Sequence, residues 1–200
     1  MKAAYYEGNK RFSVGESKIV PPGEGQVRME VAYAGICGTD VHIFLGHMDH
    51  RLTPPQVVGH EAVGTVVEVG KGVTDFKQGD RVVLRPTDAC GSCPSCERGH
   101  INICPSLNFI GITTPGAFQG SWTVPAHLLH KLPADINLIH AALIEPLAVA
   151  AHDVRYGAVK KDDYCVVLGA GPIGMLEAMV CEEKGARVVI SEVNESRIKL

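Results

Sequence analysis

Tyr164-Cys165-Val166-Val167-Leu168-Gly169-Ala170-Gly171-Pro172-Ile173-Gly174 joins a short apolar run to a glycine-rich turn. A continuous apolar run of this length, closed by glycine, predicts a strand buried on both faces. Gly169, Gly171 and Gly174 then fit G-x-G-x-x-G in the context that gives the pattern meaning, after a strand and before a helix. The first glycine permits the tight turn, the second lets backbone approach a pyrophosphate, and the third allows close helix packing. Phosphates would sit at the helix N-terminus, where free N–H groups and the dipole favour anions.

Outward from this run, a helical stretch continues to about Lys184, Gly185 stops it, and Arg187–Ser191 forms a second strand. The whole is one βαβ unit. Glu192 closes the second strand, where an acid binds the adenosine ribose 2′-hydroxyl. A carboxylate there repels a 2′-phosphate, so NAD is expected rather than NADP. Upstream, Ile139–Tyr156 is dense in Ala and Leu and predicts one helix, with Gly157 as its stop.

The first half has another texture. Gln26–Ala34, Ala62–Val69 and Arg81–Leu84 are Val-rich runs bounded by Gly, Pro or Asp and predict strands. Gly70-Lys71-Gly72 and Gln78-Gly79-Asp80 punctuate them as turns. Pro86–Thr114 is a long polar excursion that needs something to hold it. Cys90-x2-Cys93-x2-Cys96-x7-Cys104 supplies four thiolates there. Four cysteines at short spacing suit tetrahedral zinc, and a closed shell of four leaves no place for a substrate, so the metal is structural. Its binding would substitute for the hydrophobic core that the excursion lacks. Four reduced surface thiols and an iron–sulfur site are the alternatives, and no second cluster motif supports the latter.

A second, open zinc site has three sources: Cys37 in Gly35-Ile36-Cys37-Gly38-Thr39-Asp40-Val41-His42, His60 and Glu61 in Gly59-His60-Glu61-Ala62-Val63-Gly64, and Glu145 before Pro146. About three protein ligands with one position left for water or an alcohol is the catalytic pattern. Each residue has an ordinary reading alone: Cys37 as a small buried hydrophobe, Thr39 and Asp40 as local caps, Glu145 as a helix start. The ordered combination is what points to a metal.

In that order and spacing, the Cys37–His42 run, the Gly59–Gly64 signature and the four-cysteine lobe resemble the zinc-containing medium-chain dehydrogenases. The resemblance extends over essentially all of the chain and is nearest the polyol (sorbitol-type) and threonine dehydrogenase branch, where Glu-Pro stands as Glu145-Pro146 does here. It implies a mixed β and α/β fold: a GroES-like β-barrel catalytic domain at 1–150, then the start of a doubly wound Rossmann domain at 151–200. It implies Cys37 and His60 as zinc ligands, Glu61 as ligand or close neighbour, and Glu145 as the neighbouring carboxylate, with the choice between the glutamates open. Asp40 would hold His60 in its metal-binding tautomer. Thr39 and His42 would form a proton relay. Ile173 would touch the cofactor backbone and Arg197 pack over the adenine, a solvated helix charge being its alternative. Ile43, Phe44, Phe118 and Trp122 would wall the substrate pocket. His47, His50, His100, His127, His130, His140 and His152 carry no motif and are expected to face solvent or pack.

Bulk properties narrow the rest. A net charge of −3 gives no basic field for nucleic acid or an anionic membrane surface. No apolar stretch suits a membrane span, and residues 1–6 lack the apolar run of a signal peptide, so a cytoplasmic enzyme is expected. Only 36 residues follow Tyr164, too few for a doubly wound domain, and Arg197–Leu200 reads as an opened helix; a C-terminally truncated chain is expected over a short gene product. The expected activity of the intact protein is zinc-dependent transfer of hydride from a secondary alcohol, a polyol or similar, to NAD. Threonine or a simple alcohol is the rival substrate, and a non-catalytic zinc module the rival of another class. A small-molecule alcohol partner, one catalytic and one structural zinc, and a homodimer or homotetramer complete the expectation.

Overall fold

The computed structural model describes residues 1–199. The chain forms two compact units, Met1–Ala142 and Leu143–Leu200. The first contains strands β1 Lys2–Tyr6, β2 Phe12–Glu16 and β3 Gln26–Ala34, then helix α1 Gly38–Phe44. Strands β4 Gln56–Val57, β5 Ala62–Val69, β6 Arg81–Leu84 and β7 Thr87–Asp88 follow, then helix α2 Pro94–Glu97. Strands β8 Asn108–Phe109, β9 Ser121–Pro125 and β10 Leu129–Lys131 and helix α3 Leu138–Ala141 complete it. The second unit contains α4 Ile144–Tyr156, β11 Tyr164–Leu168, α5 Pro172–Glu183, β12 Arg187–Ser191 and α6 Glu195–Ile198.

The three Val-rich runs of the first half form β3, β5 and β6 with the expected bounds. They lie in a five-stranded antiparallel sheet of order β10-β6-β5-β3-β9. Alternation sets which face is buried. Val27 and Met29 of β3 and Trp122 and Val124 of β9 point inward with Val66, Val82, Leu84, Leu128 and Leu129, while Arg28 turns outward to bond Glu68. A second antiparallel sheet, β2-β1-β4, carries Tyr6 into a separate core with Ile43, Leu52, Val58 and Ile112. Trp122 and Ile43 are core residues, and Phe44 is exposed and stacks on Phe12.

The excursion at 86–114 is pinned at its base by the β7–β8 pair, Thr87 opposite Phe109 and Asp88 opposite Asn108. Beyond that ladder it holds the short α2 and a single 3₁₀ turn at Ile101–Ile103.

The helix expected over Ile139–Tyr156 is two helices, α3 and α4, broken at Ala142-Leu143. Pro146 explains the break: it has no N–H and its ring would clash with the carbonyl of Ala142 if the helix ran through. At the third position of α4 the missing N–H costs nothing, because the first turn has no intrahelical acceptors. Asn137 caps α3 instead, its side chain accepting from the Ile139 N–H at 3.0 Å.

In the second unit β11 and β12 pair in parallel across α5, with Cys165 and Val188 packed against Val154, Cys181 and Ala186. The βαβ unit has the expected order and bounds, but β11 is not buried on both faces as expected: Tyr164, Val166 and Leu168 are exposed. Asn194 caps α6, accepting from the N–H groups of Ser196 and Arg197; Leu200, the end of the expected opened helix, lies outside the described residues. Among the described residues no helix is long and apolar enough to cross a membrane.

Candidate metal centres and cofactor loop

The four-cysteine centre is built by a cap and a turn. Cys93 caps α2 with Pro94 in its first turn, which folds the Cys-x2-Cys spacing back so that Cys93 and Cys96 Sγ lie 3.4 Å apart. Cys90 Sγ is 4.0 Å from Cys96 and Cys104 Sγ 3.9 Å from Cys93. These separations fit the edges of a tetrahedron with metal–sulfur bonds of about 2.3 Å, which are about 3.8 Å long. All four cysteines are free thiols. The Ser92 backbone N–H, then the Cys104 thiol and Cys93 backbone, pull the Cys90 thiol down to about 6. Desolvation, then the neighbouring Cys93 thiol, pushes Cys96 up to about 12. Residues Cys90, Cys93, Cys96 and Cys104 fit a zinc ion of closed shell.

The second centre joins two loops of the first unit. Cys37 caps α1, and Asp40 answers it: its Oδ2 accepts the Cys37 N–H at 2.9 Å. Opposite, His60 and Glu61 lead directly into β5, and the Gly35 N–H bonds the Glu61 carbonyl at 2.8 Å, locking the loops together. Cys37, His60 and Glu61 each aim one ligand atom at a common point, all within 4.8 Å of one another. His60 and Glu61 are buried, and the Phe109 ring stands edge-on to the His60 imidazole at 5.4 Å. Gly35 is required here: a Cβ at this position would collide with the Glu61 carboxylate.

Electrostatics mark this centre as unfinished without a metal. Burial pushes the Cys37 thiol up, opposed by hydrogen bonds from the Thr39 backbone and hydroxyl. Burial likewise pushes the Glu61 and Asp40 carboxyls up, while the nearby His60 pulls each back. His60 Nδ1 and Asp40 Oδ1 are both buried and have no hydrogen-bond partner. Asp40 thus bonds the Cys37 backbone and sits in the electrostatic field of His60 without a direct hydrogen bond to it. Soft thiolate, imidazole and carboxylate are the donor set zinc accepts, and an orphaned imidazole nitrogen beside them fits a missing cation.

Thr39 and His42 lie on α1 beyond Cys37, Thr39 half-buried and His42 exposed. Glu145 belongs to the other unit, half-buried in the first turn of α4. Sequence reading did not single out Phe109 or His47. The His47 Nδ1 lies 3.1 Å from the His42 Nδ1. The aromatic Phe109 had no signal of its own. His47 had only its five-residue offset from His42. Among the other histidines without a motif, His127 pairs with Asp88 at 3.0 Å and His152 lies against Tyr156.

The glycine loop of the second unit is shaped as its spacing requires. Gly169 has φ 107°, open to glycine alone, and a Cβ on Gly174 would collide with the Gly169 carbonyl. Gly171 caps α5, with Pro172 in the first turn and Ile173 partly exposed beside it. Glu192 closes the loop from across the strand ends. Its Oε2 accepts the Ala170 N–H at 2.8 Å and its Oε1 the Val193 and Asn194 N–H groups at 2.7 and 2.8 Å. Arg197 adds a contact at 3.5 Å. The Asn194, Ala170 and Val193 N–H groups hold the Glu192 carboxyl down at about 2, so it is ionised at any physiological pH.

Comparison with known proteins identifies the family. Residues 23–134 match the family model of the alcohol dehydrogenase GroES-like domain. The chain is 54% identical over 197 residues to 2-dehydro-3-deoxy-L-galactonate 5-dehydrogenase of Pseudoalteromonas atlantica, covering 98% of this chain and 58% of that relative. A Sinorhizobium meliloti protein described as a zinc-binding dehydrogenase, solved with NADP, superposes with a TM-score of 0.94 at 35% identity, over 99% of this chain and 58% of that one. An Escherichia coli structure titled a short chain alcohol dehydrogenase, complexed with NADH, superposes with a TM-score of 0.93 at 34% identity, over 100% of this chain and 58% of that one. The chain thus spans a little over half the length of the relatives it matches.

Proposed function

The chain belongs to the zinc-type alcohol dehydrogenase family with a GroES-like domain, and from that premise we propose that the intact protein is a zinc-dependent oxidoreductase oxidising a secondary alcohol with NAD. The observation that carries this reading is the convergence of Cys37, His60 and Glu61, with the orphaned His60 nitrogen beside them. A polyol or sugar acid is the substrate class, supported by the name of the 54% identical relative.

Cys37, His60 and Glu61 would hold the catalytic zinc, and Cys90, Cys93, Cys96 and Cys104 the structural one. Zinc in an open site supplies a Lewis acid that lets a substrate hydroxyl give up its proton near neutral pH. Asp40 holds the Cys37 loop by accepting its backbone N–H and lies in the electrostatic field of His60. The Thr39 hydroxyl takes the proton onward and exposed His42 delivers it to water. In the second unit Gly169, Gly171 and Gly174 would leave room for the pyrophosphate at the start of α5, Ile173 would pack on the cofactor, and Arg197 would cover the adenine. Glu192, fixed in place and ionised, would receive the ribose 2′-hydroxyl and disfavour a 2′-phosphate. The two structural relatives carry NADP and NADH respectively, so Glu192 of this chain, and not the neighbours, supports the preference for NAD.

The test is a panel of polyols, sugar acids, threonine and simple secondary alcohols, run on the intact protein with NAD and NADP. Oxidation of a polyhydroxylated substrate with NAD, abolished in Cys37→Ala, is the expected result. Unchanged turnover in Cys37→Ala, or after complete zinc removal, would overturn the mechanism.

A further inference from the structure

His47 is the residue against which the exposed end of the relay rests. Helix α1 ends at Phe44 with Leu45 as its C-cap, Gly46 turns the chain with φ 83°, and the His47 N–H returns to bond the His42 carbonyl at 3.0 Å. That turn brings the two imidazoles together with centroids 5.4 Å apart, and Nδ1 faces Nδ1 at 3.1 Å. At this distance one hydrogen fits between the nitrogens. Two would meet head-on, and none would set two lone pairs against each other. The pair therefore holds one shared proton.

We propose that His47 is a positioning residue for proton release: it fixes the tautomer of His42 and takes over the proton that His42 collects. This rests on the reading of Thr39 and His42 as the relay. With the shared proton on His42 Nδ1, the His42 Nε2 carries a lone pair and is the basic nitrogen. A proton arriving at Nε2 makes His42 an imidazolium, whose Nδ1–H then crosses to His47 Nδ1. His42 is left neutral with its proton on Nε2. His47, now the imidazolium, loses its Nε2 proton to water or buffer. One proton enters, one leaves and no electrons move. Both rings are exposed, so the tautomers reset through water. The titratable neighbours in the following turn are Asp49 and His50. The Asp49 Oδ1 accepts from the Tyr6 hydroxyl at 2.7 Å.

The experiment compares His47→Ala, His42→Ala and the control His50→Ala in the intact protein supplied with zinc and NAD. His47→Ala is expected to lower kcat about tenfold, short of the 10²–10⁴ of a full acid–base group, with KM held and kcat restored by added imidazole. Long-range ¹⁵N–¹H spectra of the histidines read the tautomer without any turnover. They are expected to show His42 protonated on Nδ1 in the parent protein and on Nε2 in His47→Ala. Full kcat in His47→Ala beside a slow His42→Ala overturns the proposal alone, as does a loss that imidazole fails to rescue or an unchanged His42 tautomer. Full kcat in His42→Ala overturns the relay reading and this proposal with it.

Discussion

Two buried atoms, His60 Nδ1 and Asp40 Oδ1, find no partner in the protein. A buried polar group left so costs about 1–3 kcal/mol, which is tolerable at a site whose purpose is to receive a charge. Asp40→Asn keeps the shape and, through its amide oxygen, the bond from the Cys37 N–H, but removes the charge beside His60. Metal-free Asp40→Asn is expected to be at least as stable as the parent in urea unfolding, while its affinity for the second zinc falls about 10–100-fold. Glu192 is the opposite case, a carboxylate fully satisfied by three N–H groups. Its folded value, about 2, lies below the ordinary glutamate value of about 4.3. The order it brings to the loop is complete above the ordinary value and is lost only as pH falls toward 2. Hydrogen exchange of the Ala170 and Asn194 amides should show that protection, and Glu192→Gln should abolish its pH dependence. The same substitution is expected to narrow the preference for NAD over NADP by about tenfold in kcat/KM, since the repulsive element is gone.

Elements differ in how plainly their residues announced them. β3, β5 and β6 are legible because they are Val-rich runs bounded by Gly, Pro or Asp, and β11 because it is a short continuous apolar run. β1 and β2 were not read: Lys2–Tyr6 buries only its second and fifth residues, and Phe12–Glu16 buries none fully. The break between α3 and α4 was legible in Pro146 and passed over, because the dense Ala and Leu around it outweighed one residue whose effect falls four positions upstream. The four-cysteine lobe followed from spacing alone, whereas the Cys37–His60–Glu61 site needs two separate loops to meet, which only the fold supplies. The turn between β3 and α1 makes that meeting depend on Gly35. Gly35→Ala is expected to displace the Glu61 side chain and release the second zinc at chelator concentrations the parent resists, with the four-cysteine zinc retained. Metal content by atomic emission distinguishes the two ions.

At the scale of the whole molecule, the two centres belong to one unit, while the cofactor loop belongs to the other. Two zinc ions per chain are expected, and Cys96→Ser is expected to leave one. Limited proteolysis of Cys96→Ser should then cut within 86–114, because the β7–β8 pair alone is too short to hold the excursion. The clustered ligands have a further consequence, in the order of synthesis. Cys37, His60 and Glu61 leave the ribosome within a span of 25 residues, and the last lobe cysteine, Cys104, precedes the end of the first unit at Ala142. Domains generally fold in the order they emerge, at about 5–20 residues per second. The first unit can thus acquire both metals during the seconds in which the second is still being made.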